Sequence, residues 1–453
     1  MPLARSRRHA PLFQRTLLDF ADHESSSSLP PYRWKIAWLL GMGVLVNYFD
    51  RVNLSVSHQA LIATFGISNI VFGYLSGAYN WTYALCQLPI GVLLDRIGVK
   101  RIGRVSSLLW SVASFSAAVT PNLPGFFGAR FLLGVGEAPT FPANAKAVGQ
   151  WFPARERSFA TSIFDAGAKF ASAIGVPLIG MMLLALGWRL SFAVTGLISL
   201  LYFALFFFVY RDPSTAEWQG LQQTAVVSGV SSPETEALVW SEKTSLGYLL
   251  QRKKVLGLAL GFGSYNYVFY LLLTWLPSYL STALHIDLRS SFLYTGVPWL
   301  CATIVELIVG GWLVDFLVQQ GWDANRVRKV VLIGGTACGL GILGAAHAHT
   351  AREALIWISI SISGLSAAAP VGWSIPSLIA PYGSVGKVGG IMNFSNQISG
   401  IAAPIVTGYL VTARHSFAAA FGISAAYLLI GIAGYIFLLG RIERVPAQSA
   451  QSA

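Results

Sequence analysis

Charge is scarce in this sequence. Of its 453 residues, 54% are hydrophobic and only 11% are Asp, Glu, Lys or Arg. A soluble chain carries about 25% charged residues, so a soluble globular protein is excluded. Cysteine is nearly absent too. The three present, Cys86, Cys301 and Cys338, all fall in apolar runs, which argues against a disulfide framework. Acid is scarcer than base, with 19 Asp and Glu against 31 Lys and Arg. A net charge of +12 would suggest nucleic acid in a soluble protein, but the placement of the bases, below, excludes that partner. The seven histidines show no metal-ligand spacing. No phosphate-cradling loop occurs; "GGTACGLG" and "GFGSYNY" lie inside apolar runs, where glycine serves close helix packing.

What the sequence has is length in its apolar runs. They recur near 34–58, 69–94, 102–121, 124–149, 158–185 and 189–210, and again near 255–283, 291–318, 328–348, 353–379, 388–412 and 416–440. Each is long enough to cross a bilayer core of about 30 Å. A membrane β-barrel would instead alternate in segments of about ten residues. The fold class expected is therefore an all-α polytopic membrane protein, with about twelve transmembrane helices in two six-helix halves.

The bases mark every other loop. Arg5, Arg7, Arg8, Arg15, Arg33 and Lys35 precede the first run; Arg96, Lys100, Arg101 and Arg104 follow the second; Arg155 and Arg157 follow the fourth. Arg252, Lys253 and Lys254 precede the seventh, Arg326, Arg328 and Lys329 follow the eighth, and Arg441 and Arg444 follow the last. The loops between are nearly neutral. This is the positive-inside pattern of a cell-membrane protein with both ends cytoplasmic. The first 30 residues lack an apolar core with a cleavage site and read as a cytoplasmic tail, not a signal peptide. A Ser-, Thr-, Glu- and Gln-rich stretch from Arg211 reads as a linker. The expected organisation is a tail over 1–33, one bundle over 34–210, a linker over 211–254, a second bundle over 255–440 and a tail over 441–453.

The halves echo each other. "GVLLDRIGVKR" (91–101) follows the second run, and "GGWLVDF" (310–316) stands at the matching place after the eighth. Parallel repeats of this kind are a transporter architecture. The first of these loops resembles the G-x-x-x-D-R-x-G-R-R loop of the major facilitator superfamily. Further stretches resemble its anion:cation symporter branch, which includes bacterial galactonate, hexuronate and glucarate carriers. They are "NYFDRVNLS" (47–55), "YALCQLPIG" (83–91), "RFLLGVGEAPTFPAN" (130–144), "WFPARERSFA" (151–160), "NYVFYLLLTWLPSYL" (266–280) and "GGIMNFSNQISGI" (389–401). The resemblance covers roughly residues 34–440. It implies a secondary transporter in the bacterial cytoplasmic membrane, not an enzyme. Such a carrier needs no cofactor beyond a proton gradient, and its partners are a small organic anion, protons and lipid. A monomer is expected.

Charges deep in the runs are the candidate site. At a rise of about 1.5 Å per residue, Asp50 and Arg51 lie about 22 Å from the cytoplasmic end of the first run. Arg130 reaches a similar depth from the other side. Glu137 is seven residues, about two turns, further along the same face. A charge at this depth costs at least about 2.5 kcal/mol and usually faces a cavity or a partner. Guanidinium is a planar fork for a carboxylate, so Arg51 and Arg130 are candidate anion ligands. Asp50 and Glu137 are candidate proton carriers, because desolvation favours a neutral carboxyl group and a nearby arginine favours the charged one. The alternative is that Asp50–Arg51 and Arg130–Glu137 are ion pairs that hold helices together. The resemblance favours the first reading, with Arg51 binding carboxylate and Asp50 and Glu137 taking protons.

Around these stand Tyr48, the i,i+4 pair Tyr83 and Gln87, the similarly spaced Asn266 and Tyr270, then Trp373, Asn393, Asn396 and Gln397. A polyhydroxy acid needs many donors and acceptors and an aromatic platform. Resemblance to the galactonate carriers points to Tyr48, Arg51, Tyr83, Trp373 and Asn393. Interhelical hydrogen bonding is the alternative for each. Asp165, Lys169 and Glu306 stand outside the pattern of the branch. Asp165 and Lys169 are spaced for a local salt bridge, Lys169 could be a second cation for a dicarboxylate, and Glu306 could pair with Lys169 or titrate alone. Gly91, Asp95, Arg96 and Arg101 read as a conformational latch. The leading expectation is proton-coupled uptake of a sugar acid (an aldonate, hexuronate or aldarate) by alternating access. A carrier or exchanger of aromatic or other small carboxylates is the rival. A membrane enzyme lacks a catalytic cluster, and a non-transporting receptor lacks a signalling domain.

Overall fold

The computed structural model describes residues 31–446 apart from 153, 215–216, 218–243, 382–383 and 415; side chains 88, 91, 92, 95, 154–159, 315 and 319 are outside the description. The apolar runs form α1 (Tyr32–Val56), α2 (His58–Phe65), α3 (Asn69–Ile97), α4 (Val99–Val119), α5 (Leu123–Glu137), α6 (Thr140–Trp151) and α7 (Ala154–Val209). After the linker come α8 (Leu246–Leu250), α9 (Lys253–Ala283), α10 (Leu288–Val318), α11 (Ala324–Ala346), α12 (Ala351–Ile379), α13 (Val385–Arg414) and α14 (Ala418–Leu439).

Seven helices among the described residues are long and apolar enough to cross a membrane by composition alone, or eight if the bent pair α2–α3 is one span. Packing completes the set. α7 doubles back at Gly187, whose φ of 77° suits glycine, and so makes two passes. α5 and α6 make one pass broken at Ala138 and Pro139. With α1, α3 and α4 that is six passes; α9 to α14 make six more. Polar side chains start many of them. Ser68, Asn122, Asp287, Asp323 and Thr350 each accept a hydrogen bond from a backbone N–H in the first turn, replacing partners that helix geometry leaves missing.

α3 lies along α13, and the first arm of α7 lies along α10. Small residues allow this approach. A methyl group on Gly73 would sit 2.6 Å from the carbonyl oxygen of Pro404, and one on Gly296 would sit 2.5 Å from that of Ala173. With no hydrophobic drive between helices in lipid, such close backbone packing is what joins them.

The halves are sealed toward one face. Ser55 donates to the Thr274 carbonyl (2.7 Å), His58 bonds Ser278 (2.6 Å) and Gln59 donates to Ser281 (3.1 Å). Asn80 donates to the Gly400 carbonyl at 2.9 Å. Away from that face, the described hydrogen bonds between the halves are Gln87–Asn393 and Lys169–Glu306, each 3.2 Å.

Candidate functional site

The site forms where α1, α3 and α5 converge on α9. Arg51 is buried. Its Nε and Nη2 donate to Oε2 of Glu137 at 3.2 and 3.1 Å, and Nη2 also donates to the Tyr79 hydroxyl. The guanidinium carbon lies 4.4 Å from the centre of the Tyr48 ring, 4.6 Å from Tyr79 and 5.9 Å from Tyr83. Tyr79 and Tyr83 share one face of α3 at i,i+4 spacing, so both rings reach the cation. Gly134 lets α5 come close enough: a methyl there would meet the Tyr79 carbonyl oxygen at 2.3 Å. One turn later, Glu137 arrives at Arg51.

Arg130 is buried two turns before Glu137. Among the described contacts it makes no hydrogen bond to Glu137, and its Nε has no partner. Oε1 of Glu137 is also without a hydrogen-bond partner among the described residues. Arg130 and Arg51 together line a cavity of about 20 Å³ with Ser76, Asn80, Tyr270 and Thr274, room for roughly one water. It lies just beneath the sealed face.

Asp50 does not meet Arg51. Its two carboxylate oxygens accept from Ser114 of α4 and, at 3.1 Å, from Ser199 on the second arm of α7. Sequence neighbours on a helix point about 100° apart, so Asp50 faces the interior of the first half while Arg51 faces the second. Neither pairing offered by the sequence, Asp50–Arg51 or Arg130–Glu137, is the one formed; Arg51–Glu137 is. Fully ionised, the four charges sum to zero.

The second half contributes less directly. Tyr270 lines the cavity beside Arg51. The Asn393 amide donates to Gln87 Oε1 across the halves at 3.2 Å, and Gln87 donates to the Ala138 carbonyl at 3.3 Å. Asn396 is buried, with Oδ1 lacking a partner among the described residues. Asn266 turns back onto the Phe262 carbonyl (3.1 Å), and Trp373, 40% exposed, packs edge-on to Phe262. Neither touches Arg51 in this conformation.

Lys169 is shared. Its Nζ is 3.1 Å from Asp165 one turn back and 3.1 Å from Glu306 of α10, so the i,i+4 pair is not self-contained. Of the latch residues, Gly91 and Asp95 lie outside the described side chains; Arg96 and Arg101 are exposed near the α3–α4 turn, where Gly98 adopts φ 88°. Tyr79, Asn80, Ser114 and Ser199 were not singled out from sequence. Only Tyr79 carried a signal, standing four residues before Tyr83.

A family model described as the Major Facilitator Superfamily matches residues 40–404. The chain is 38% identical over 414 residues to the uncharacterized transporter YybO of Bacillus subtilis (strain 168), covering 91% of this chain and 95% of that protein. It is 32% identical over 410 residues to a D-galactonate transporter of Escherichia coli, covering 89% and 94%. Among solved structures, a D-xylose-proton symporter superposes with a TM-score of 0.70 at 17% identity, covering 91% of this chain and all of that one; this likeness concerns the fold alone.

Proposed function

Because this chain belongs to the major facilitator superfamily of membrane transporters, we propose that it carries a sugar acid inward together with protons, by alternating exposure of the Arg51 site. The observation that carries this is the buried Arg51–Glu137 contact beside a second guanidinium, Arg130, whose Nε lacks a partner. The names of similar proteins, a D-galactonate transporter among them, support the substrate class.

The charges suggest the coupling. Glu137 occupies Arg51 as a substrate carboxylate would. A proton on Glu137 cancels its charge and leaves the buried cluster with one surplus positive charge. A carboxylate anion then restores neutrality by taking Glu137's place on the guanidinium fork. Anion and proton thus bind together more readily than either alone, which is what symport requires. Asp50, held by two hydroxyl groups on the far side of α1, is the second proton carrier. A monoanion entering against an inside-negative potential costs about 2.3 kcal/mol per 100 mV; two protons reverse that sign.

Tyr48, Tyr79, Tyr83 and Tyr270 supply ring faces and hydroxyl groups near Arg51, and Gln87 and Asn393 amides at the boundary of the halves. A hydroxylated chain on the acid matches that set. The basic loops favour cytoplasmic ends; on that reading the sealed face is outside and the protein faces inward. The test is uptake into proteoliposomes under an inward proton gradient, with D-galactonate, a hexuronate, glucarate and benzoate offered in turn. Uptake of a sugar acid that collapses with the gradient is expected; uptake of benzoate alone would overturn the substrate class.

A further inference from the structure

The Asp165–Lys169–Glu306 cluster lies outside the Arg51 site, and the function above makes no use of it. Lys169 and Asp165 stand on the first arm of α7, and Glu306 on α10, so the cluster bridges the halves. The side chains of Lys169 and Glu306 are 3% and 2% exposed, and that of Asp165 is 13% exposed. Lys169 Nζ is within 3.1 Å of both acids. The two carboxyl groups therefore lie side by side around one ammonium group.

Two acids share one base here. Fully ionised, the trio would keep one uncompensated negative charge, and burying such a charge costs several kcal/mol. One proton removes it, and carboxyl groups side by side are the arrangement that holds a single proton. Among the described residues, the other titratable side chains facing the cluster are Tyr48 of α1 and Tyr265 of α9, both phenols, and neither supplies a positive charge. α12, packed against this part of α10, has no titratable side chain from Ala354 to Ile379.

Backbone geometry marks the same place. Glu306 opens a π-helical stretch of α10, Glu306–Leu313; such widened turns are rare and concentrate at functional sites. Asp165 is the most exposed of the three and lies toward the Ala154 end of α7, on the unsealed side.

We propose that Asp165 and Glu306 form a further proton-binding site of the transport cycle, separate from Glu137 and Asp50, holding one proton between them and exchanging it as α7 and α10 part. The step is a proton from water bonding to one carboxylate oxygen; otherwise only hydrogen bonds change. While the elements are joined, Lys169 balances one acid and the proton balances the other. When they part, Asp165 keeps Lys169 as a neutral pair. Glu306 is left alone on α10 to release its proton to whichever face has opened. This rests on the proton-coupled reading above.

Infrared titration of the purified full chain in lipid, without substrate, tests it. The protonated-carboxyl band of the wild type should lose one group's worth of area in Glu306→Gln and equally in Asp165→Asn, because Lys169 then balances the acid that remains. Lys169→Gln should gain one. Glu137→Gln should leave this component in place. With a sugar acid in proteoliposomes, Glu306→Gln should accumulate about tenfold less per unit of imposed pH difference for the one proton lost. Amide bands report folding in the same spectra, and any one folded variant decides. An unchanged carboxyl band in the folded acid variants overturns the site. A chain that shows the band but moves no sugar acid overturns the functional reading and leaves the site standing.

Discussion

Two nitrogens of Arg51, Nε and Nη2, converge on a single oxygen of Glu137, Oε2, at 3.2 and 3.1 Å. The pair is buried, so removing one partner strands the other. Arg51→Ala leaves Glu137 without its counter-charge, and breaking a buried pair in this way costs about 3–5 kcal/mol. Uptake should be abolished while protein still inserts in membranes. Arg51→Lys keeps the charge but loses the fork. Losing one charge-assisted hydrogen bond, worth about 1.5–3 kcal/mol, should weaken substrate binding about 10- to 100-fold. Uptake and a thermal-shift titration with the transported acid measure both; near-normal uptake by Arg51→Ala would remove it as the carboxylate ligand.

Glu137→Gln fixes the residue in its neutral form. The amide cannot compete with an incoming anion for Arg51, so binding and exchange of substrate across the membrane should survive. Accumulation against a gradient should not, because anion binding at Arg51 is no longer tied to the uptake of a proton beside it. Counterflow with and without an imposed pH gradient separates the two, and gradient-driven accumulation by this variant would exclude Glu137 as a coupler.

The fold was largely legible because bilayer-length apolar runs leave a helix as their only stable form. The interruptions were not. Gly187 and the Ala138–Pro139 break set where helices turn, yet glycine and proline also occur well inside helices here, as Pro177 and Pro404 do. Within the site, depth set Arg51 and Arg130 at one level, and both line the small cavity, but it did not pair Glu137 with Arg51. Adjacency misled for Asp50, since its true partners, Ser114 and Ser199, are distant in sequence and chemically unremarkable. Lys169 and Glu306 were within reach of a depth argument, because both sit mid-membrane in helices that touch.

Outside the membrane, the Arg211 guanidinium grips Glu217 through two hydrogen bonds of 2.8 Å and rests over the rings of Tyr32 and Trp151. That contact pulls the Glu217 carboxyl down to about 2. A depressed carboxyl contributes its stabilisation above its ordinary value, about 4.3, and loses it as pH falls toward 2. The start of the linker should therefore stay docked throughout pH 5–8. The difference in melting temperature between wild type and Arg211→Ala should be small, as for other exposed pairs, flat over that window, and should shrink below pH 4. A difference that instead varies between pH 6 and 8 would point to another titrating group.

The seal over Arg51 depends on the approach of α3 to α13. Gly73→Val places its first carbon 2.6 Å from the Pro404 carbonyl oxygen and 3.0 Å from the backbone of Ile405, atoms that cannot move aside without moving the helix. The variant should disfavour the sealed arrangement without touching any residue near Arg51. Ser76 is a suitable reporter: it is 7% exposed and lines the small cavity under the seal. In a background with Cys86, Cys301 and Cys338 replaced by serine, Ser76→Cys should react slowly with a membrane-impermeant thiol reagent added outside. Adding Gly73→Val should speed that reaction and slow transport, because the inward-facing state is now harder to reach. Equal labelling rates with and without the valine would mean that the α3–α13 contact does not control access to the site.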